Sequence, residues 1–260
     1  LVRRENWEDV HQIAAIIVSL RQEQKEYEAG YLASRPDGEA PAAAWQLIAF
    51  YHWAKATEVL AQYMLQGTPA DAGNIIDFHF DKSFQAVEQS GSFELGNLLK
   101  WLQFASHRFI SNSVWNISHR FNANLTHYVG QLAHAARMTL ELLPPQRCAI
   151  FEEGLLDQTH NAVVVSRPAS SGKTQLAIFR ILEAINHFGV QGWIAYTAPT
   201  RALVNQITAR LRRELGPLKI RVEQLSGAAD VDQFEIDLLE NTGAFQVLVC
   251  TPEKLDVIIR

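Results

Sequence analysis

Ser166-Arg167-Pro168-Ala169-Ser170-Ser171-Gly172-Lys173-Thr174 follows the apolar run Ala162-Val163-Val164-Val165 and opens an amphipathic stretch over 173–187. A phosphate-binding loop needs that context. Successive backbone N–H groups at a helix start point at the anion, Gly172 lets backbone come close, Lys173 reaches the β- and γ-phosphates, and the Thr174 hydroxyl coordinates Mg²⁺. Arg167 occupies the first position of the general G-x-x-x-x-G-K-[ST] pattern in place of glycine.

Working outward, short β-branched runs alternate with amphipathic stretches. Buried strands are expected at 162–165, 193–196, 220–225 and 247–249, and helices at 173–187, 200–215, 231–240 and 252–260. Alternation of this kind gives an α/β fold with a parallel sheet. Upstream of Pro144-Pro145 the texture is different: Ile16, Ile17, Leu47, Ile48, Tyr51, Val59, Leu60 and Tyr63 recur at helical spacing, with Ile13 and Leu20 in the same series. Gly, Pro and Ser cluster in 30–41, 67–73 and 90–96, so four or five helices are expected there. The expected organisation is a helical accessory domain, 1–142, followed by an ATP-binding domain, 143–260.

Two further segments sit where expected strands end. Thr197-Ala198-Pro199-Thr200-Arg201-Ala202-Leu203-Val204-Asn205-Gln206 follows the second strand and Cys250-Thr251-Pro252-Glu253-Lys254-Leu255-Asp256 the fourth. Thr200 is placed to cap the helix beginning at Arg201, and Thr251 to cap one with Pro252 at its first position. A helix N-terminus carries free N–H groups and about half a positive charge, so each turn is a seat for one phosphate of a nucleic-acid backbone. On physics alone, two well-capped helices without a ligand read equally well.

PASSGKT, APTRALVNQ and TPEKLD, in that order, resemble motifs I, Ia and Ib of superfamily 2 helicases of the DEAD/DEAH-box group, especially its Ski-type branch. The resemblance implies an incomplete RecA-like domain over about 143–260. It further implies nucleotide contacts at Ser170, Ser171, Gly172, Lys173 and Thr174, with Lys173 and Thr174 catalytic and Thr174 on Mg²⁺. Contacts to single-stranded DNA or RNA are implied at Pro199, Thr200, Arg201, Thr251 and Pro252. Leu142-Leu143-Pro144-Pro145-Gln146 resembles the segment whose glutamine reads adenine, since an amide donates and accepts at once; an ordinary linker residue remains the alternative for Gln146. Leu225-Ser226-Gly227 resembles the family's strand-touching glycine turn and makes Gly227 a further nucleic-acid candidate, with Ser226 in place of the commoner second glycine.

The acidic motif that holds Mg²⁺ and orients water in this family is expected on a strand after motif Ib, and its arginines on a second RecA-like domain. The sequence to Arg260 contains neither, so the expectation is an N-terminal fragment of a helicase or translocase with negligible turnover by itself. Leu1 in place of Met agrees with a fragment.

Composition sets the outer bounds. The 260 residues are 48% hydrophobic and 20% charged, which excludes dominant disorder, and no apolar run approaches the roughly 18 residues that cross a bilayer. LVRRENWEDV has no apolar core of the kind a signal peptide needs, and Cys148 and Cys250 lack metal spacing, which fits a reducing, cytoplasmic setting. Residues 1–145 carry 11 Lys and Arg against 15 Asp and Glu, and 146–260 carry 12 against 13, so no basic block binds phosphate by charge alone.

Seven of the nine histidines lie before residue 143, without the i,i+4 spacing of a zinc helix. Trp45, Phe50, Tyr51 and Trp53 are expected to pack, and Arg210, Arg212 and Arg213 to form a solvated face. A protein partner for 1–142 is open. A nucleotide-binding regulatory scaffold is the rival function, favoured by Arg167 and the acidic first half. A small-molecule phosphoryl transferase gives no reason for PTRALVNQ and TPEKLD.

Overall fold

The structure is a computed structural model that describes residues 12, 15–17, 19, 28–34, 36, 38–118, 123–135, 139–160, 162–168, 171–188, 192–225, 233–240 and 246–260. Ser170 and Gly227, two of the expected contact residues, lie outside these, as do Ile13, Leu20 and Ser226. The chain divides into two compact units, one of residues 1–120 and 129–142, the other of 121–128 and 143–260. Residues 121–128, inside the stretch expected to be the accessory domain, group with the second unit.

The first unit is helical. α1 (Ala40–Gln66), α2 (Ala72–Ser90) and α3 (Phe93–Asn112) follow one another through short turns, then α4 (Trp115–Ser118) and the part of α5 (Ala123–His134) from Val129 onward. Small residues on α1, Ala49 and Ala56, let α2 approach closely with Ile76, Phe80, Ala86 and Val87, and Ser83 Oγ donates to the Ala49 carbonyl at 2.8 Å. α1 ends at Gly67, whose φ of 71° is left-handed and whose N–H bonds the Tyr63 carbonyl at 2.8 Å. A Cβ there would lie 2.5 Å from the Trp115 ring, whose Nε1 donates to the Met64 carbonyl at 2.9 Å. Glycine is therefore demanded twice, by the backbone and by the indole.

Of the four α1 aromatics expected to pack, Trp53 lies against the core and Phe50 meets its ring with centroids 6.2 Å apart. Trp45, Phe50 and Tyr51 are about 40% exposed (39%, 41% and 43%). Ala49 and Ala56 of α1 are fully inside the buried cluster, and Trp53 packs against it.

The second unit contains α6 (Pro144–Arg147), a π-helical turn (Cys148–Glu152), α7 (Lys173–Phe188), β1 (Trp193–Thr197), α8 (Arg201–Leu215), β2 (Arg221–Gln224), α9 (Gln233–Glu240), β3 (Gln246–Cys250) and α10 (Pro252–Ile259). The three strands form a parallel sheet in the order β1-β3-β2. β3 is buried along its whole length, which its Gln-Val-Leu-Val-Cys run permits, and Leu225, Leu248 and Cys250 form a core with Trp193, Leu239, Leu255 and Ile258. The architecture is a helical region followed by a partial RecA-like α/β domain. One expected strand is absent from the sheet: 162–165 has no strand partner, and Val164 is 93% exposed. A β-branched run favours extended backbone, but only a neighbouring strand makes it part of a sheet, and among the described residues none lies beside it.

Candidate functional site

Order β1-β3-β2 places three strand ends on one edge. Thr197 at the end of β1 is in register with Cys250 at the end of β3, and the Ala198 N–H donates to the Cys250 carbonyl at 2.9 Å. The chain leaves both strands into helices capped as their sequences require. Thr200 Oγ1 accepts from the Leu203 N–H at 3.3 Å, and Thr251 Oγ1 accepts from the Lys254 N–H at 3.4 Å with Pro252 at the start of α10. Pro199, Thr200, Arg201 and Pro252 are exposed and Thr251 is half-buried. Leu225, after β2, donates its N–H to the Val249 carbonyl at 3.0 Å.

The α10 end already favours negative charge. The Glu253 carboxyl is held below its usual range by its own backbone N–H and by the Thr251 hydroxyl. Those donors would serve a phosphate equally well.

The phosphate loop has its own geometry. Gly172 has φ 81°, and its carbonyl starts α7 by accepting from Gln175 N and Leu176 N at 3.0 and 3.2 Å. A Cβ on Gly172 would meet Gln146 Nε2 at 2.3 Å, so the two segments interlock. Gln146 is buried; its Oε1 accepts from the Leu143 N–H at 2.9 Å and its Nε2 donates to the Gly172 carbonyl at 3.4 Å. The Nε2 end thus bears on the loop and the Oε1 end on the amide's own turn, and each keeps one further bonding site.

Lys173 is exposed and folds back over the loop, donating to the carbonyls of Arg167 at 2.9 Å and Pro168 at 3.4 Å. Thr174 is half-buried on the first turn of α7. Ser171 Oγ is buried without a hydrogen-bond partner. An orphaned hydroxyl inside such a loop is what a phosphate oxygen would satisfy, so the residues present fit a nucleotide phosphate.

Arg167, the departure at the first loop position, donates through Nη2 to both carboxylate oxygens of Glu153 at 2.5 Å. The guanidinium holds the Glu153 carboxyl below its usual range, while Cys148 donates to the same carboxylate at 3.4 Å. The extra charge is therefore matched within the unit. Of the α8 arginines expected to form a solvated face, Arg212 and Arg213 are exposed and Arg210 is half-buried; Arg210 pairs with Glu214 at 2.7 Å, and Arg212 donates to the Val222 carbonyl at 2.9 Å and pairs with Glu223 at 3.2 Å. Their spacing marks an exposed face, but facing acids on β2 and α8 convert two of them into brackets.

Comparison with known proteins bears on the same segment. Residues 144–260 match the family described as DEAD/DEAH box helicase. Over these residues the chain is similar to that family. The matched segment includes the three motifs in which the chain resembles the Ski-type branch, and the relatives include proteins named as helicases. The DExH-box ATP-dependent RNA helicase DExH14 of Arabidopsis thaliana is 35% identical over 109 residues, 39% of this chain and 5% of that protein. The RQC trigger complex helicase SLH1 of Saccharomyces cerevisiae is 30% identical over 115 residues, 40% and 6%. Activating signal cointegrator 1 complex subunit 3 of Homo sapiens is 32% identical over 139 residues, 51% and 6%. The chain spans only about a twentieth of the length of these relatives.

Two residues of this segment, and one upstream of it, carry contacts that the motifs did not announce. Lys254, inside TPEKLD, is 1% exposed and pairs with Glu235 of α9 at 2.6 Å. Glu153 answers Arg167 across 14 residues, a separation at which sequence carries no pairing signal. Tyr128 lies still further away in sequence and joins α7 to α8.

Proposed function

We propose that this chain supplies nucleotide- and strand-binding parts of an ATP-dependent nucleic-acid helicase or translocase. The observation that carries the reading is the pair of threonine-capped helix ends, Thr200 and Thr251, on adjacent parallel strands whose last residues are in register. Neighbouring strands lie about 4.8 Å apart, so two anion seats at one sheet edge suit successive phosphates of a single strand of DNA or RNA. Pro199 and Pro252 shape the two turns, Arg201 adds a positive charge, and Gly227 follows from the third strand end.

The phosphate-loop residues bind and orient the nucleotide. In this reading Ser170, Ser171 and Gly172 supply loop donors, Lys173 leaves the Arg167 and Pro168 carbonyls to meet the terminal phosphates, Thr174 holds Mg²⁺, and Gln146 fixes the loop and faces adenine. Bound ATP supplies the free energy that drives a helicase along its strand; these residues place its phosphates. Residues 1–260 alone should bind nucleotide and turn it over negligibly. The scaffold alternative draws on Arg167, which pairs with Glu153 at 2.5 Å, and on the acidic first half.

Outside this site, large apolar side chains of the helical unit stand in water: Phe93 is 79% exposed, Trp101 73% and Phe104 57%. They support a protein partner for 1–142. No helix among the described residues is long and apolar enough to cross a membrane, and the free thiols Cys148 and Cys250 support a reducing, cytoplasmic setting.

The test is ATP hydrolysis by the full-length gene product with and without single-stranded DNA and RNA, beside Lys173→Ala. Stimulation by either polymer, abolished in the variant, is expected. Nucleotide binding with a rate indifferent to both polymers would overturn the motor and favour the scaffold.

A further inference from the structure

Tyr128 stands between two helices that end in different ligand sites. Its side chain is 1% exposed, its hydroxyl donates to Glu214 Oε2 of α8, and it accepts from Gln175 Nε2 of α7 at 2.6 Å. Arg210 closes the network, donating to Glu214 Oε1 at 2.7 Å and to Gln175 Oε1 at 3.3 Å. The Tyr128 ring meets the Phe179 ring edge-on, with centroids 5.8 Å apart and planes at 75°. Burial and the Glu214 carboxylate both push the phenol's ionisation upward, so it remains a donor at any physiological pH.

The placement of the four residues matters more than their number. Gln175 follows Thr174 directly in the first turn of α7, the turn that presents Lys173 and Thr174. Arg210 and Glu214 lie near the far end of α8, a rod of 15 residues, roughly 22 Å long, whose other end is the Thr200 cap. Any displacement of the first turn of α7 is thereby applied to one end of a stiff helix whose opposite end seats a strand phosphate. A buried, fully partnered network of this kind has few alternative arrangements, which suits it to transmit position.

We propose that Tyr128 is a positioning residue that couples the phosphate loop to the strand seat at Thr200, through Gln175 on one side and Glu214 with Arg210 on the other. The proposal rests on the nucleotide and strand reading of these two sites. Coupling between sites is reciprocal, so nucleotide bound at the loop strengthens the strand seat and strand strengthens nucleotide by the same factor.

The test measures the affinity of the 260-residue chain for a fluorescent non-hydrolysable ATP analogue with Mg²⁺, alone and with saturating oligouridylate or oligothymidylate. Typical coupling gives an affinity ratio of about 5-fold or more in the wild-type chain. Tyr128→Phe keeps the ring on Phe179 and removes only the hydroxyl; Gln175→Met cuts the same link from α7 and keeps the test available should the first variant fold poorly. Both are expected to bring the ratio below about 2-fold while affinity for the analogue alone changes little, and the double variant should add nothing, since one chain of contacts has been cut twice. A lower melting temperature or weaker nucleotide binding with the ratio intact would show a structural role and overturn the proposal. A wild-type chain that binds strand with a ratio of 1 overturns the coupling and leaves the strand seat standing, whereas failure to bind either polymer removes the seat and the coupling with it.

Discussion

Lys254 and Glu235 show how a surface-type residue can be committed to the interior. The pair is 1% and 4% exposed at 2.6 Å, so each charge relies on protein groups, the other among them, for what water would have supplied. Lys254→Met keeps the stem's volume and takes the cation from a buried carboxylate. We expect it to cost about 3–5 kcal/mol, read as a fall in the urea midpoint at neutral pH, with Glu235→Gln recovering part of the loss in the double variant. A loss below about 1 kcal/mol would mean that the pair is solvated in solution. The lysine was in plain view within TPEKLD, but its burial was not: Glu235 lies 19 positions away across a strand, and no local pattern marks a partner at that separation.

At the level of elements, the caps were legible because their physics is local. Thr-x-x at a strand end, followed by proline or a polar helix start, satisfies orphan N–H groups within four residues. Replacing Thr251 or Thr200 by Ala should lower stability by about 1 kcal/mol and weaken binding of a single-stranded oligonucleotide, measured by denaturant titration and by anisotropy. Unchanged strand affinity in both variants would reduce the turns to ordinary caps.

The run 162–165 was not legible in the same way. Its apolar character is real, yet Val164 is 93% exposed, so Val164→Glu should change the stability of this chain by no more than about 0.5 kcal/mol. A loss of several kcal/mol on thermal or urea unfolding would show that the segment is buried as a strand after all.

For the whole chain, the near balance of charge predicts how it meets nucleic acid. With about two phosphates seated at helix ends and one nearby cation, Arg201, the logarithm of strand affinity should fall with the logarithm of salt concentration with a slope of about −1 to −2. A basic groove would give a far steeper dependence. A slope near zero would remove the backbone from the interaction, and one beyond about −4 would call for a positive surface that the described residues do not form.

The amino-acid sequence by itself determined the succession of a helical region and a parallel α/β region, the glycine turn at Gly172 ahead of α7, and the threonine caps of α8 and α10, because periodicity, left-handed glycine and capping act over a few residues. Only the tertiary structure decided that Ala162–Val165 stands outside the sheet, that Gln146 fills the space a side chain at Gly172 would need, that Glu153 answers Arg167, and that residues 121–128 group with the second unit and bring Tyr128 to Gln175 and Glu214. Each of these depends on which distant segment arrives as a neighbour, and burial and pairing belong to neighbours rather than to the residue that carries them.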